Sequence, residues 1–428
     1  MLVGKRQKTS GQVSPESEDI MNKMLEGIRI IDLGMVHAGV ASGYMLGDLG
    51  ADVIKIEDPS RGDSGRGMTT LFGAQMVVKG HPVLPELSNR NKRSIALDLK
   101  KEEGKQIFYQ LIEKSDVFVT NFHPSVLKRL GADYKDLIKY NPKIIYAICS
   151  AYGIRGPKKN IRRGYDPIGL AYSGAMWGVG ERDSKEPQWI VGGWGDQSAA
   201  VFTAYGILAA LFHREKTGKG QKLETSLLGS AINIQAMAFN AVGLGAEGYK
   251  RQARKRAINP MANHYRCADD EWILLCINQS DRFWHEFCTI MGLAELENAP
   301  LYRTEKERSK NRMELIGILD NTFGEKTLAE WLSIFEKNKA SFPYSPINRW
   351  SDLLSDPQVF KNQYLVEFDH PAIGPVKLPG FPVLFSETPA KIERQAPEHG
   401  EHTEEILLEL CGFSWEKIAQ LKEHGVIN

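Results

Sequence analysis

The stretch GIRIIDLGMVHAGVASGYMLGDLGADVIKIE, residues 27–57, decides how the chain is read. Ile28–Leu33 is a short β-branched run bounded by glycines, the mark of a buried strand. VASGYMLGDLG (40–50) has helix-like spacing, and ADVIKIE (51–57) is a second strand. Strand, helix and strand in this order predict a β-α-β unit, hence a parallel sheet covered on both faces. The alternation continues through RSIALDLK (93–100), EEGKQIFYQLIEKS (102–115), DVFVTNF (116–122), PSVLKRLG (124–131) and KIIYAICSAYG (143–153). The expected large domain is α/β, doubly wound and Rossmann-like. Its ligands belong at the carboxyl ends of the strands, where the loops after Leu33, Glu57, Asn121 and Ser150 gather.

From about Thr225 the texture changes. A helix rich in Ala, Leu and Met leads to the basic segment YKRQARKRA (249–257). A strand pair around HYRCADDEWILLCI (264–277) and amphipathic helices such as DRFWHEFCTIMG (281–292) follow. This predicts a smaller α+β domain. The expected division is a polar N-terminal arm at 1–24, the first part of the large domain at 25–224, the small domain at 225–341 and a return to the large domain at 342–428.

Bulk properties narrow the function. The 428 residues are 42% hydrophobic, enough for two domains, and the net charge of +1 points to neither a nucleic-acid groove nor an anionic membrane. Five cysteines (Cys149, Cys267, Cys276, Cys288, Cys411) form no CxxC pair, which argues against a disulfide framework or structural zinc. No apolar run approaches the roughly 20 residues of a membrane span. The N-terminus lacks the apolar core of a secretory signal, so a soluble cytoplasmic protein is expected.

Several tempting motifs fail. GLGAEG (243–248) follows a helix, not a strand, and so lacks the context of a dinucleotide loop. TGKGQ (217–221) reads as a helix-to-strand turn, with Gly218 and Gly220 supplying positive φ. There is no GxSxG elbow. His399 and His402 lie in a polar stretch and read as solvated, so no metal is expected. The basic loops are stronger candidates. Asn91, Lys92, Arg93 and Lys100 follow one strand region, and Asn121, His123, Lys128 and Arg129 another. They either converge to hold phosphates or are ordinary solvated charge.

VGGWGDQSAAVFTAYGILAALFHREKTGKGQ (191–221) carries Asp196 between a glycine-rich turn and a long helix. Aspartate is a preferred N-cap. The same geometry also suits a nucleophile, because the glycines admit a ligand to the backbone and the helix-start amides favour a developing oxyanion.

LEGIRIIDLG, LGDLGADVIKIEDPSRGDSGR, NRNKRSIALDLKKEEG, NPKIIYAICSAYGIRGP, YDPIGLAYSGAM and HREKTGKGQKLETSLL, in this order with the glycine-Asp196 turn, make the chain resemble the class III CoA-transferases. The resemblance runs from about Leu25 to the C-terminus. It implies that Asp196 is the catalytic residue and attacks an acyl-CoA to form a mixed anhydride, then an aspartyl-CoA thioester. It also implies CoA contacts at His37, Ala38, Leu97, Lys100, Asn121, Phe122, His123 and Arg129, with Tyr165 and Asp166 in the substrate or CoA pocket. CoA is then a substrate, and no permanently bound cofactor is expected.

Two departures bear on the substrate. Asp58 stands where formyl-CoA transferase has a CoA-contacting arginine, and INPMANHYRCADD (258–270) replaces that enzyme's shielding glycine run, which argues against oxalate or formate. The related α-methylacyl-CoA racemases carry a histidine at the position of Tyr165. Tyrosine, with a reference pKa of about 10, is a poor general base at neutral pH, so transferase is preferred to racemase. A non-catalytic CoA-binding subunit of a heteromeric transferase is the remaining alternative. Trp177, Trp189 and Trp194 suggest an apolar or aromatic acid, such as a benzylsuccinate-like or hydroxy acid, unless they pack a core or an interface. The family further implies an interlocked dimer of ring-shaped chains.

Overall fold

The computed structural model describes residues 23–159, 163–182 and 184–428. The expected arm therefore lies almost wholly outside the described residues. The chain divides into two compact units. One comprises the described residues of Met1–Arg163 with Asp196–Ser226 and Val366–Asn428; the other is Gly164–Gly195 with Leu227–Leu365. Residues 164–195 fall in the second unit, where Leu170 and Ala175 pack with Ala231. The return begins at Val366, whereas the sequence reading sets these boundaries at 225 and 342.

The first unit is built on a six-stranded sheet. Its strands are β1 (Arg29–Leu33), β2 (Asp52–Glu57), β3 (Lys92–Ala96), β4 (Val117–Thr120), β5 (Ile145–Ser150) and β6 (Lys222–Ser226). They run parallel in the order β6-β5-β4-β1-β2-β3. Side chains alternate between two cores, as the period of two requires. Ile31, Leu33, Ile54, Ile56 and Phe118 face one cluster. It is covered by helix α2 (Glu102–Glu113) through Ile107, Phe108, Leu111 and Ile112, and by C-terminal residues Ile406, Leu407, Ile418 and Leu421. Ile30, Val53, Val117 and Val119 face the other. Helix α1 (Ser42–Asp48) and the long helix α4 (Trp194–Thr217) cover that side, the latter through Ala200, Ala204, Ile207 and Ala210. The short helix α3 (Pro124–Leu130) follows β4. The strand order reverses between β1 and β4, so the loops leaving their carboxyl ends flank the switch point.

Two details differ from expectation. Between β2 and β3, two small hairpins form at Thr70–Gln75 and Val77–Pro82. In the turn before β6, Gly218 has φ +70° but Gly220 does not enter the left-handed region. A Cβ on Gly220 would lie 2.4 Å from the Lys143 and Ile144 carbonyl oxygens, so this glycine provides close approach instead.

The second unit is α+β. His264–Arg266, Trp272–Leu275 and Tyr344–Pro346 form an antiparallel three-stranded sheet. Its core gathers Tyr265, Phe287, Phe323, Trp331, Phe335 and Phe342. No helix among the described residues is long and apolar enough to cross a membrane.

Candidate active site

The loop after β1, residues 34–41, is held from below by charge. Lys55 Nζ donates to Gly34 O at 2.9 Å and pairs with Asp63 Oδ2 at 2.8 Å. Lys92 Nζ pairs with Asp32 Oδ2 at 2.6 Å and donates to Val40 O at 3.2 Å and Asn89 Oδ1 at 3.0 Å. Both lysines are fully buried. Burial works against the Lys55 charge, but the carboxylates of Asp63, Asp32 and Glu57 outweigh it and raise its pKa. For Lys92 burial prevails and the pKa falls. Asp63 also accepts from Val36 N at 3.1 Å, fixing that residue at φ +59°.

From the other side of the switch point, Asn121 completes the hold. Its Oδ1 accepts from Met35 N at 3.0 Å, and its Nδ2 donates to Met35 O at 2.8 Å and Ala38 O at 3.1 Å. His37 and Ala38 are thus presented by a loop with most of its backbone groups engaged.

His37 joins this loop to the start of α4. Its Nδ1 lies 2.6 Å from Ser88 Oγ and its Nε2 2.9 Å from Gln197 Oε1. Gln197 Nε2 donates to Tyr44 Oη at 3.1 Å, and the Arg90 guanidinium stacks over the Tyr44 ring at 4.6 Å. Burial lowers the His37 pKa, a shift the Gln197 bond opposes and the Lys92 charge reinforces, so the imidazole is neutral at pH 7.

Asp196 is not the N-cap. Gly192 and Gly193, at φ +99° and +72°, turn the chain early, and α4 begins at Trp194 with Asp196 as its third residue. A half-buried carboxylate in the first turn is favoured by the helix dipole. In the second unit a Cβ on Gly195 would lie 2.9 Å from Asp166 O and 3.0 Å from its Oδ1, so the glycine admits the buried Asp166 to the backbone. In the first unit Asp196 neighbours Cys149. Burial pushes that thiol up to about 12, with a hydrogen bond from Thr225 opposing and the Asp196 charge adding to the rise. Gly39 packs on the same cysteine, where a Cβ would come within 2.2 Å of Cys149 Cβ. Asp196, Cys149 and the loop after β1 therefore meet in one place.

The other sequence-derived positions divide. His123 caps α3, its side chain accepting from Ser125 N, and Phe122 N donates to Thr120 Oγ1 at 3.1 Å. Arg129 is exposed in the last turn of α3, and Tyr165 is exposed at the start of helix Asp166–Tyr172. Lys100 is exposed and pairs with Asp58 at 2.6 Å, which holds that carboxyl near about 2 although partial burial opposes the shift. Leu97 is buried in the core, with its amide donating to Glu57 O at 2.8 Å.

Two expectations are corrected. The basic residues of NRNKRS neither line a phosphate site nor float in solvent. Arg90 pairs with Asp48 and Arg93 with Asp52, Glu405 and Glu409, while Lys92 is the buried clamp described above. His399 and His402 are not simply solvated: His399 Nε2 lies 3.0 Å from Asp58 O, and His402 Nδ1 accepts from Ser94 N at 3.3 Å. A histidine cluster also forms that spacing does not reveal, with His81 and His370 Nε2 atoms 3.2 and 3.3 Å from Glu86 Oε1. His370 Nδ1 accepts from Ala372 N at 3.1 Å, which leaves the proton on Nε2. That tautomer does not fit a metal ligand. Gln197, Tyr44, Ser88 and Asp63 escape the sequence reading. The only local signal is the polar residue directly after Asp196.

Asp196 in the first turn of α4 thus lies beside a heavily hydrogen-bonded switch-point loop of a parallel α/β sheet. Residues 25–403 match CoA-transferase family III, and the chain belongs to that family. It is 34% identical to succinyl-CoA:glutarate CoA-transferase of Mus musculus over all of this chain and 95% of that protein. It is 31% identical to cinnamoyl-CoA:phenyllactate CoA-transferase of Clostridium sporogenes over 94% of this chain and 96% of that one. A CAIB/BAIF family protein from Brucella suis has a crystal structure that superposes with a TM-score of 0.80 at 29% identity, covering 91% of this chain and all of that one. The protein is thus a transferase of class III that acts on acyl-CoA.

Proposed function

We propose that the chain moves CoA from an acyl-CoA to a carboxylic acid through a covalent intermediate on Asp196. The position of Asp196 in the first turn of α4, behind two left-handed glycines, carries this reading. A carboxylate is ionised at neutral pH and attacks without a helper base. Asp196 attacks the thioester carbonyl and expels CoA thiolate, leaving a mixed anhydride. The thiolate then attacks the aspartyl carbonyl, releasing the first acid and forming an aspartyl-CoA thioester. An incoming carboxylate repeats the exchange in reverse, so the new acyl-CoA departs and Asp196 is regenerated. One thioester replaces another, so the cycle is nearly isoenergetic.

The strand order supports a Rossmann-like large domain with CoA over the switch point, near His37, Ala38, Asn121, Phe122, His123 and Arg129. The acceptor we favour is an aromatic or apolar acid, because Trp177, Trp189 and Trp194 are each more than half exposed, which removes core packing as their role. A dicarboxylic acid is the second reading, favoured by the identity to the succinyl-CoA:glutarate enzyme. We also read the assembly as an interlocked homodimer. The apolar helix Ala236–Gly243 buries no residue, and Met237 and Leu244 are 74% and 89% exposed, as suits a surface covered by a second chain. Light scattering should give twice 48.0 kDa. Incubation with acyl-CoA, quenching with hydroxylamine and peptide mapping should place the adduct on Asp196; an adduct elsewhere, or none, rejects the mechanism.

A further inference from the structure

Gln197 is an exposed side chain in the residue after Asp196, yet both ends of its carboxamide are held. Ser88 is buried, and its hydroxyl faces Nδ1 of a neutral His37. With Nδ1 accepting from Ser88, Nε2–H of His37 donates to Gln197 Oε1. The amide nitrogen then points to Tyr44 Oη. Tyr44 is itself fixed, its ring packed with the α1-side core and stacked under Arg90, which Asp48 holds by two bonds along its Nε–Nη2 edge. Such a frame is more than an exposed glutamine needs for solubility. It spends the amide oxygen and one N–H, and it leaves the second N–H with no partner among the described residues, one position after Asp196 in α4.

We propose that Gln197 is a catalytic residue: its second amide N–H donates to the carbonyl oxygen that becomes an oxyanion when acyl or CoA groups are exchanged on Asp196. Tyr44 and His37 are positioning residues that aim it. This rests on Asp196 being the nucleophile. A donor fixed before reaction stabilises the charge without reorganising, and loss of one such donor costs about 10²–10³-fold in kcat.

The test uses the full-length enzyme with one acyl-CoA donor and one acceptor acid that it turns over. Gln197→Ala should lower kcat about 10²-fold while KM for the donor changes less than about threefold. Gln197→Glu should be no better, since its carboxylate only accepts. Tyr44→Phe keeps the ring and removes the acceptor of the Gln197 N–H. It should lower kcat about tenfold in the wild-type background and have no further effect in Gln197→Ala, because its role runs through that residue. Unchanged kcat in Gln197→Ala, an equal fall in Tyr44→Phe on both backgrounds, or a rise in KM alone overturns the proposal. Hydroxylamine trapping on the wild type is run in parallel. Absence of an Asp196 adduct there defeats the underlying mechanism, whereas its presence with an unaffected Gln197→Ala defeats this inference alone.

Discussion

Asn121 and Met35 exchange hydrogen bonds in both directions: Oδ1 accepts from Met35 N at 3.0 Å while Nδ2 donates to Met35 O at 2.8 Å. One side chain at the end of β4 thereby reproduces a rung of sheet pairing for a residue that has already left β1. Asn121→Ala removes three bonds to the 34–41 loop. It should destabilise the fold by about 1–3 kcal/mol, read by denaturant titration, and raise KM for acyl-CoA more than it lowers kcat.

Asp196→Ala should cut transfer by at least about 10³-fold, with thermal stability close to wild type because the residue is half-buried and at a helix end. Steady-state rates and a melting curve on the same preparation check this. Gly195→Ala retains the carboxylate but drives a methyl into Asp166, so it should lose activity through displacement of the turn.

Lys92 and Asp32 are both fully buried and 2.6 Å apart. Removing one partner leaves the other charge stranded, so Lys92→Met should cost about 3–5 kcal/mol in chemical denaturation. The paired change Lys92→Met with Asp32→Leu should recover part of that loss, though not the grip on Val40 O.

Acid should attack the same clamp. The carboxyls of Asp63 and Glu57 are held low in the fold, burial opposing and Lys55 with, for Glu57, Arg66 overcoming it. Their unfolded values are near about 4, so their stabilising contribution is complete above that pH and is lost as pH falls through the lower folded values. His37 has the same sign for a different reason: its folded pKa is lowered by burial, so stability falls once pH drops below about 6.5. Melting temperatures from pH 8 to pH 3 should show a shallow decline below about 6.5 and a steep one below about 4. His37→Gln should remove only the first.

Cys149 adjoins Asp196 but is buried and held up to about 12, so it should resist a thiol reagent at pH 8, whereas exposed Cys276 should react readily. Mass mapping after brief alkylation distinguishes them.

The six strands and α4 could be read because β-branched runs and glycine punctuation are local signals. Strand order and the hold on the 34–41 loop could not. Lys55 sits within DVIKIE and Lys92 within NKRSIA, and a sequence states the sign of a charge without its partner. For that reason the sequence leaves Lys92 and Arg93 between a phosphate site and solvated charge, when they are internal struts. The hairpins at Thr70–Gln75 and Val77–Pro82 have strands of two residues, too short for any period to register. The Asp196 turn is visible through its glycines, but a cap at Asp196 is three residues late because the left-handed pair Gly192 and Gly193 starts the helix at Trp194. Nothing near Gln197 in the sequence marks it, because its partners His37 and Tyr44 lie 160 and 153 residues away and only the fold unites them.

Loops that join strands commonly drift in length between relatives, since water satisfies whatever the chain leaves open. The 34–41 segment has surrendered that freedom. Two interior ammonium groups and one carboxamide occupy its carbonyls at set positions, so an inserted or deleted residue would strand cations in the protein interior. Library selection at this segment should therefore return changes of side chain and almost none of length.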